Sequence, residues 1–224
     1  MSNYKAVLFD LDDTLLDRDN AVDKLFFIML EKCYEDINDS LKKEMLQEFK
    51  EQDKKCYGQK DKTKVLEAFF DAFPPKYRIP HNDILVFWNN HFPYCFSVNQ
   101  DTINIVNRLK SLVKVAIITN GTVQRQKAKI INTNLHHYFD TIIISDEVGI
   151  SKPDKRIFEL VLNKLNVQPE DTLFVGDDIE SDIGGCQNAN LKGIWFNPRK
   201  IKNATKIKPF AEIDSFDRLL SYFT

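Results

Sequence analysis

Five short runs of nearly continuous apolar residues, each ending in a polar or acidic loop, constrain this chain more than any other feature. They are Lys5–Phe9, Val113–Thr119, Thr141–Ser145, Thr172–Gly176 and Lys192–Phe196. A strand with one face in water alternates apolar and polar residues, whereas a strand covered on both faces does not. Runs of this kind therefore belong to a parallel sheet sandwiched by helices. The intervals supply those helices: Ile103, Val106 and Leu109 recur at helical spacing before the second run, and Ile157, Phe158, Val161, Leu162 and Leu165 before the fourth. Alternation of strand and helix implies βαβ units and an α/β fold.

Between Asp17 and about Ser97 every apolar series has helical period. The series are Ala21, Leu25, Met29 and Cys33; Leu41, Met45 and Phe49; Val65, Leu66, Phe69, Phe70 and Phe73; and Ile84, Leu85, Trp88 and Phe92. Pro74-Pro75 stops the third series, and Pro80 and Pro93 punctuate the fourth. The chain is thus expected to carry an α/β core at 1–16 and 98–224 with a helical insertion at 17–97. Phe26, Phe69, Phe70, Phe73 and Trp88 are expected to form the core of that insertion rather than a stacking surface. Arg18 is expected to pair with its neighbours Asp17 and Asp19.

Charge and cysteine usage narrow the classes of function. With 31 Lys plus Arg against 33 Asp plus Glu, the net charge of −2 offers no basic surplus for nucleic acid or an anionic membrane. The first apolar run is too short for a leader or a membrane span, so a cytoplasmic location is expected. Cys33, Cys56, Cys95 and Cys186 form no C-x-x-C pair and are expected to be buried thiols. The histidines, including His136-His137, have no zinc-ligand spacing. The run Arg199, Lys200, Lys202, Lys206 and Lys208 is expected to be a solvated loop.

The chemistry-bearing residues cluster where strands end, which is where a parallel sheet presents its carboxyl edge to ligands. Asp10, Asp12 and Asp13 follow the first run, and Asp177 and Asp178 follow the fourth, with Asp182 four residues further on. Paired carboxylates repel unless a cation or proton intervenes, and hard oxygen ligands of this kind suit Mg²⁺. An EF-hand is excluded because Leu15 stands where its loop needs glycine. The local alternative for the first cluster is a turn with Asp13 or Thr14 capping a helix. After the second run come Thr119, Asn120 and Gly121, a hydroxyl and a flexible turn whose amides suit a phosphate. After the third come Lys152, Pro153 and Asp154, with Asp154 placed to start the next helix.

Taken jointly, Asp10-Leu11-Asp12-Asp13-Thr14, Thr119-Asn120, Lys152-Pro153 and Gly176-Asp177-Asp178 through Asp182 resemble the four motifs of the haloacid dehalogenase-like hydrolase superfamily. The resemblance spans nearly the whole chain and makes the fold a Rossmann-like parallel sheet core with an inserted α-helical cap domain, as in the subgroup of small-molecule phosphatases and nucleotidases. It implies Asp10 as nucleophile and Asp12 as general acid and base; crowding by neighbouring carboxylates favours the protonated form of Asp12, while the metal opposes it. It implies Thr119, Asn120 and Lys152 as phosphate-binding residues, with Thr119 and Lys152 also catalytic. Mg²⁺ would be held by Asp10, the carbonyl of Asp12 and Asp177, supported by Asp178 and Asp182. The substrate would be a small phosphorylated metabolite, such as a nucleoside 5′-monophosphate or a sugar phosphate, and the protein a monomer or homodimer. Dehalogenases of the superfamily lack a carboxylate at the position of Asp12, so its presence favours phosphate chemistry. Phosphonate hydrolases use a cap lysine, and none of Lys24, Lys32 or Lys62 stands in a distinctive context. A non-catalytic relative would not require the full set of motif residues.

Overall fold

The computed structural model describes residues 4–223. The chain divides into two compact units, Met1–Asp17 with Val98–Thr224, and Arg18–Ser97. In chain order the elements begin with β1 (Ala6–Phe9), followed by α1 (Arg18–Cys33), α2 (Asp39–Lys55), α3 (Thr63–Ala72) and α4 (His81–His91). The chain continues with α5 (Gln100–Lys110), β2 (Lys114–Thr119), α6 (Val123–Asn132), β3 (Thr141–Ile144), α7 (Ser145–Val148) and α8 (Lys155–Leu165). It closes with β4 (Thr172–Gly176), α9 (Gly185–Asn188), β5 (Lys192–Phe196) and β6 (Ala211–Ile213).

The first unit is built on one six-stranded sheet in the order β3-β2-β1-β4-β5-β6. Every adjacent pair is parallel. All four residues of β1 are fully buried, which is why they read as one apolar run instead of alternating. Ala6, Leu8, Ala116, Ile118, Phe158, Val161 and Phe174 pack into one core cluster on a face of this sheet. Five strands are expected from the sequence and six are present among the described residues. The additional strand, β6, has only three residues, and of these only Ile213 is buried. So short a segment carries no periodicity; its pairing with β5, reinforced by Asn197 N–H donating to Ile213 O at 2.8 Å, makes it a strand.

The second unit is helical, with an aromatic core. Phe26, Phe49, Phe69, Phe70 and Trp88 are all fully buried, while Phe73 is half-buried. Phe69 meets Phe26 and Phe49 edge-on at 6.1 and 5.4 Å, and Phe49 stacks on Trp88 at 6.3 Å. Such edge-to-face pairs add roughly 0.5–1.5 kcal/mol beyond area burial. The Arg18 guanidinium binds Asp53, Nη1 to Oδ2 at 2.6 Å, while its expected partner Asp19 meets Lys50 at 3.1 Å. Lys62 also reaches Asp53, at 3.4 Å, and donates to the Cys56 carbonyl at 2.6 Å. The triad is nearly dry; α2 carries Asp53 on its buried face, so two cations from separate segments converge on it. No helix among the described residues is long and apolar enough to cross a membrane.

Candidate active site

Strand order decides what converges. With β1 between β2 and β4, the loops after these three strands open side by side at the carboxyl edge. The Asp10 amide donates to Val175 O at 2.9 Å, extending the ladder one residue beyond β1 and fixing where its carboxylate begins. Lys152, from the segment after β3 and α7, donates to Asp10 Oδ1 at 2.5 Å and to Asp182 Oδ1 at 2.6 Å. The Lys152–Pro153 peptide is cis. The Asn120 side chain holds this lysine's backbone from both sides, Nδ2 donating to its carbonyl at 2.9 Å and Oδ1 accepting from its amide at 3.0 Å. The expected phosphate-binding residue Asn120 therefore spends its side chain on positioning Lys152. Asp154 caps α8, accepting from the Arg156 amide at 3.0 Å.

Asp10, Asp177 and Asp182 each offer an oxygen, and these atoms all lie within 4.8 Å of one another. Lys152 balances one of the three charges. Burial pushes the Asp10 carboxyl up to about 7, with Lys152 opposing the rise and Asp182 adding to it. Burial, then the charges of Asp10 and Asp182, pushes Asp177 up to about 9. Asp182 is raised by burial against the pull of Lys152. Lys152 itself would be lowered by burial, but attraction to Asp10 and Asp182 outweighs that and holds it above its ordinary range. Such a cluster must recruit protons or a cation, and three hard carboxylate oxygens fit a divalent ion of the Mg²⁺ type.

Two of the expected supporting aspartates separate in role. Asp182 belongs to the cluster, and its Oδ2 accepts from the Asp178 amide at 3.1 Å. Asp178 is exposed and caps the turn of π-helix at Ile179–Gly184, accepting from the Glu180 and Ser181 amides at 2.9 and 2.7 Å. Gly176 makes room for this arrangement, because a Cβ there would collide with the Asp182 carboxylate. Neither Asp13 nor Thr14 caps a helix, since α1 starts only at Arg18. Asp13 instead takes Arg199 at 2.6 Å, and the Thr14 hydroxyl donates to Asp177 Oδ1 at 3.3 Å. Trp195 donates to the Asp177 carbonyl at 2.7 Å, fixing that loop from β5.

The Asp12 carboxylate, whose charge adds to the rise of Asp10, also meets a cation. Lys129 Nζ lies 2.7 Å from both its oxygens, and Gln126 Nε2 donates to Oδ2 at 3.0 Å. The same Gln126 nitrogen donates to Thr119 Oγ1 at 2.6 Å. Sequence reasoning misses both residues. Their signal is faint: Gln126, Lys129 and Ile130 form the buried stripe of α6, at i, i+3 and i+4, and two of the three are polar.

Comparison with known proteins shows the family. Residues 4–190 match the haloacid dehalogenase-like hydrolase family. The glyceraldehyde 3-phosphate phosphatase of Pyrococcus abyssi is 30% identical over 207 residues, spanning 86% of this chain and 81% of its own length. Pyrimidine 5′-nucleotidase YjjG of Escherichia coli is 26% identical over 219 residues, spanning 95% of each. The crystal structure of the HAD-hydrolase YfnB of Bacillus subtilis, bound to magnesium, has the same fold, with a TM-score of 0.81 at 23% identity over 99% of both chains. The matching segment runs from β1 through α9 and contains every strand end that supplies the acidic cluster, so the chain belongs to the haloacid dehalogenase-like hydrolases and is a hydrolase.

Proposed function

We propose that the protein is a Mg²⁺-dependent, cytoplasmic phosphatase that hydrolyses a small phosphomonoester through an aspartyl-phosphate on Asp10. The observation that carries this reading is the Asp10 carboxylate itself. One oxygen is held by Lys152 at 2.5 Å within a buried cluster that has an excess of negative charge. Asp10, Asp177 and the carbonyl of Asp12 would hold the ion, with Asp182 beside them. When bound, Mg²⁺ supplies charge neutralisation for the phosphoryl group and keeps Asp10 ionised.

The second Asp10 oxygen attacks phosphorus as the bond to the leaving oxygen breaks, and that oxygen takes the proton carried by Asp12. One displacement thereby becomes two easier ones. Water then attacks the aspartyl-phosphate, Asp12 accepts its proton, and phosphate leaves with Asp10 restored. Lys152 offsets charge on Asp10 and on the phosphoryl oxygens. The Thr119 oxygen accepts from Gln126, which leaves its own O–H to donate to a phosphoryl oxygen. Phosphoryl transfer depends mainly on such positioning and charge stabilisation.

Nucleoside monophosphates and sugar or triose phosphates are the substrate classes that the related nucleotidase and phosphatases support. The carboxylate at Asp12 supports phosphate over halide chemistry. The test is phosphate release from an aryl phosphate, with Mg²⁺ or with excess chelator, for the natural chain and Asp10→Asn. Magnesium-dependent turnover that falls at least about 10³-fold in the variant is expected, the scale on which loss of a nucleophile acts. Turnover that survives Asp10→Asn, or halide release from a haloacid in chelator, would overturn the reading.

A further inference from the structure

We propose that Lys129 and Gln126, on one face of α6, are positioning residues that hold the Asp12 carboxylate for proton transfer and couple its placement to that of Thr119. This rests on the reading of Asp12 as general acid and base.

The contacts bring two donor groups of α6 onto one carboxylate. Lys129 Nζ addresses both Asp12 oxygens at 2.7 Å, a straddling geometry that fixes the plane of the carboxylate as well as its position. Gln126 has one NH₂ group with two protons; one meets Asp12 Oδ2 at 3.0 Å and the other Thr119 Oγ1 at 2.6 Å. In this arrangement the Asp12 carboxylate accepts from both residues, with the Gln126 amide nitrogen turned toward it. A single rigid group thus ties the residue that handles the leaving oxygen to one that faces the phosphoryl oxygens.

The fold is shaped to permit this. Gly121, at φ +142°, sits where a Cβ would come within 3.0 Å of the Gln126 side chain, so glycine lets the amide lie against the loop after β2. Thr122 caps α6, its hydroxyl accepting from the Arg125 amide at 3.4 Å, and the helix turns positions 126 and 129 inward. Both side chains are buried, Gln126 at 2% and Lys129 at 3% exposure. Burying a lysine is costly without a paired charge. Asp12, on the loop after β1, supplies that charge, and a general base on such a loop needs an external hold if it is to sit within hydrogen-bond reach of the proton it moves.

The test is a double-mutant cycle on the Mg²⁺-loaded full chain with p-nitrophenyl phosphate, reading kcat and KM for Lys129→Met, Asp12→Ala and the double variant. General acid–base catalysis supplies typically 10²–10⁴-fold, so loss of its positioning should lower kcat by about 10–100-fold. KM is expected to stay within about threefold, because the interaction lost is made in the transition state. On the Asp12→Ala background, Lys129→Met should cost little more, since the residues act as one unit. Lys129→Met losses that multiply with those of Asp12→Ala, a raised KM at unchanged kcat, or no loss at all would each overturn the proposal. Full activity in Asp12→Ala would overturn the acid–base reading instead, a separate failure visible in the single variant. Should Lys129→Met not fold, Lys129→Gln in the same cycle is expected to lose about tenfold in kcat alone and none on the Asp12→Ala background.

Discussion

At the scale of single residues, the site is governed by how few atoms its neighbours leave free. Gly176 is the clearest case. It ends β4 beneath the Asp182 carboxylate, which is pinned from two directions by Lys152 and the Asp178 amide. A methyl group at position 176 would have to push that carboxylate away, and neither tether lets it move freely. Overpacking of this sort costs typically about 1–3 kcal/mol. Gly176→Ala is therefore expected to lose that much stability in denaturant titration and to weaken Mg²⁺ activation. Unchanged values for both would mean that Asp182 has room to shift. Lys152 illustrates the other side: its backbone is held by Asn120 and its ammonium by two carboxylates, so a chain segment remote in sequence delivers one charge to a defined point.

At the scale of elements, helix ends do the positioning. Asp178 lies outside the acidic cluster, yet it caps the π-helical turn whose fourth residue is Asp182. An N-cap carboxylate is worth about 1 kcal/mol, with a range of roughly 0.5–2. Asp178→Ala should therefore lower stability by about 1 kcal/mol by thermal or denaturant melts, and Asp178→Ser, which keeps a capping oxygen, should recover most of it. A serine variant as unstable as the alanine one would show that the residue acts through its charge instead. Similarly, α6 contributes through its buried stripe, which packs one apolar and two polar residues inward. That face would be expensive unless Asp12 and Thr119 received its polar groups, which they do.

For the molecule as a whole, the acidic cluster links stability to pH and to cation binding. In the folded chain Asp10 is raised from 3.8 to about 7 and Asp177 from 3.8 to about 9. The folded state thus binds more protons than the unfolded one between these limits. Stability contributed by the protonated groups is full below their unfolded values and is lost as pH rises through about 7 for Asp10 and about 9 for Asp177. A cation that replaces those protons should restore it, and more so at alkaline pH, where proton competition is weakest. In chelator, the melting temperature is expected to fall between about pH 5 and pH 9; saturating Mg²⁺ should recover most of the loss at the upper end and little at the lower. A melting temperature independent of pH in chelator, or a magnesium increment equal at every pH, would contradict this account.

The sequence by itself determined what local physics can write: five of the six strands, because strands buried on both faces must be apolar throughout, and the aromatic core of the helical unit, because burial on a helix repeats at its own period. It also determined which loops carry acid, hydroxyl and ammonium, as Asp10, Thr119 and Asp177 stand directly at or after their strands and Lys152 in the segment after β3 and α7. Tertiary structure alone decided the rest. Arg18 lies beside Asp17 and Asp19 in sequence but binds Asp53, since a buried carboxylate needs a cation more than solvated ones do. Asp178 and Asp182 look alike in sequence and diverge because one starts a helical turn and the other faces inward from it. Gln126 and Lys129 stand more than a hundred residues from Asp12. Only the closing of β2 against β1, which sets the phase of α6 over the loops, makes those polar residues partners, and no local pattern encodes a contact formed across the sheet.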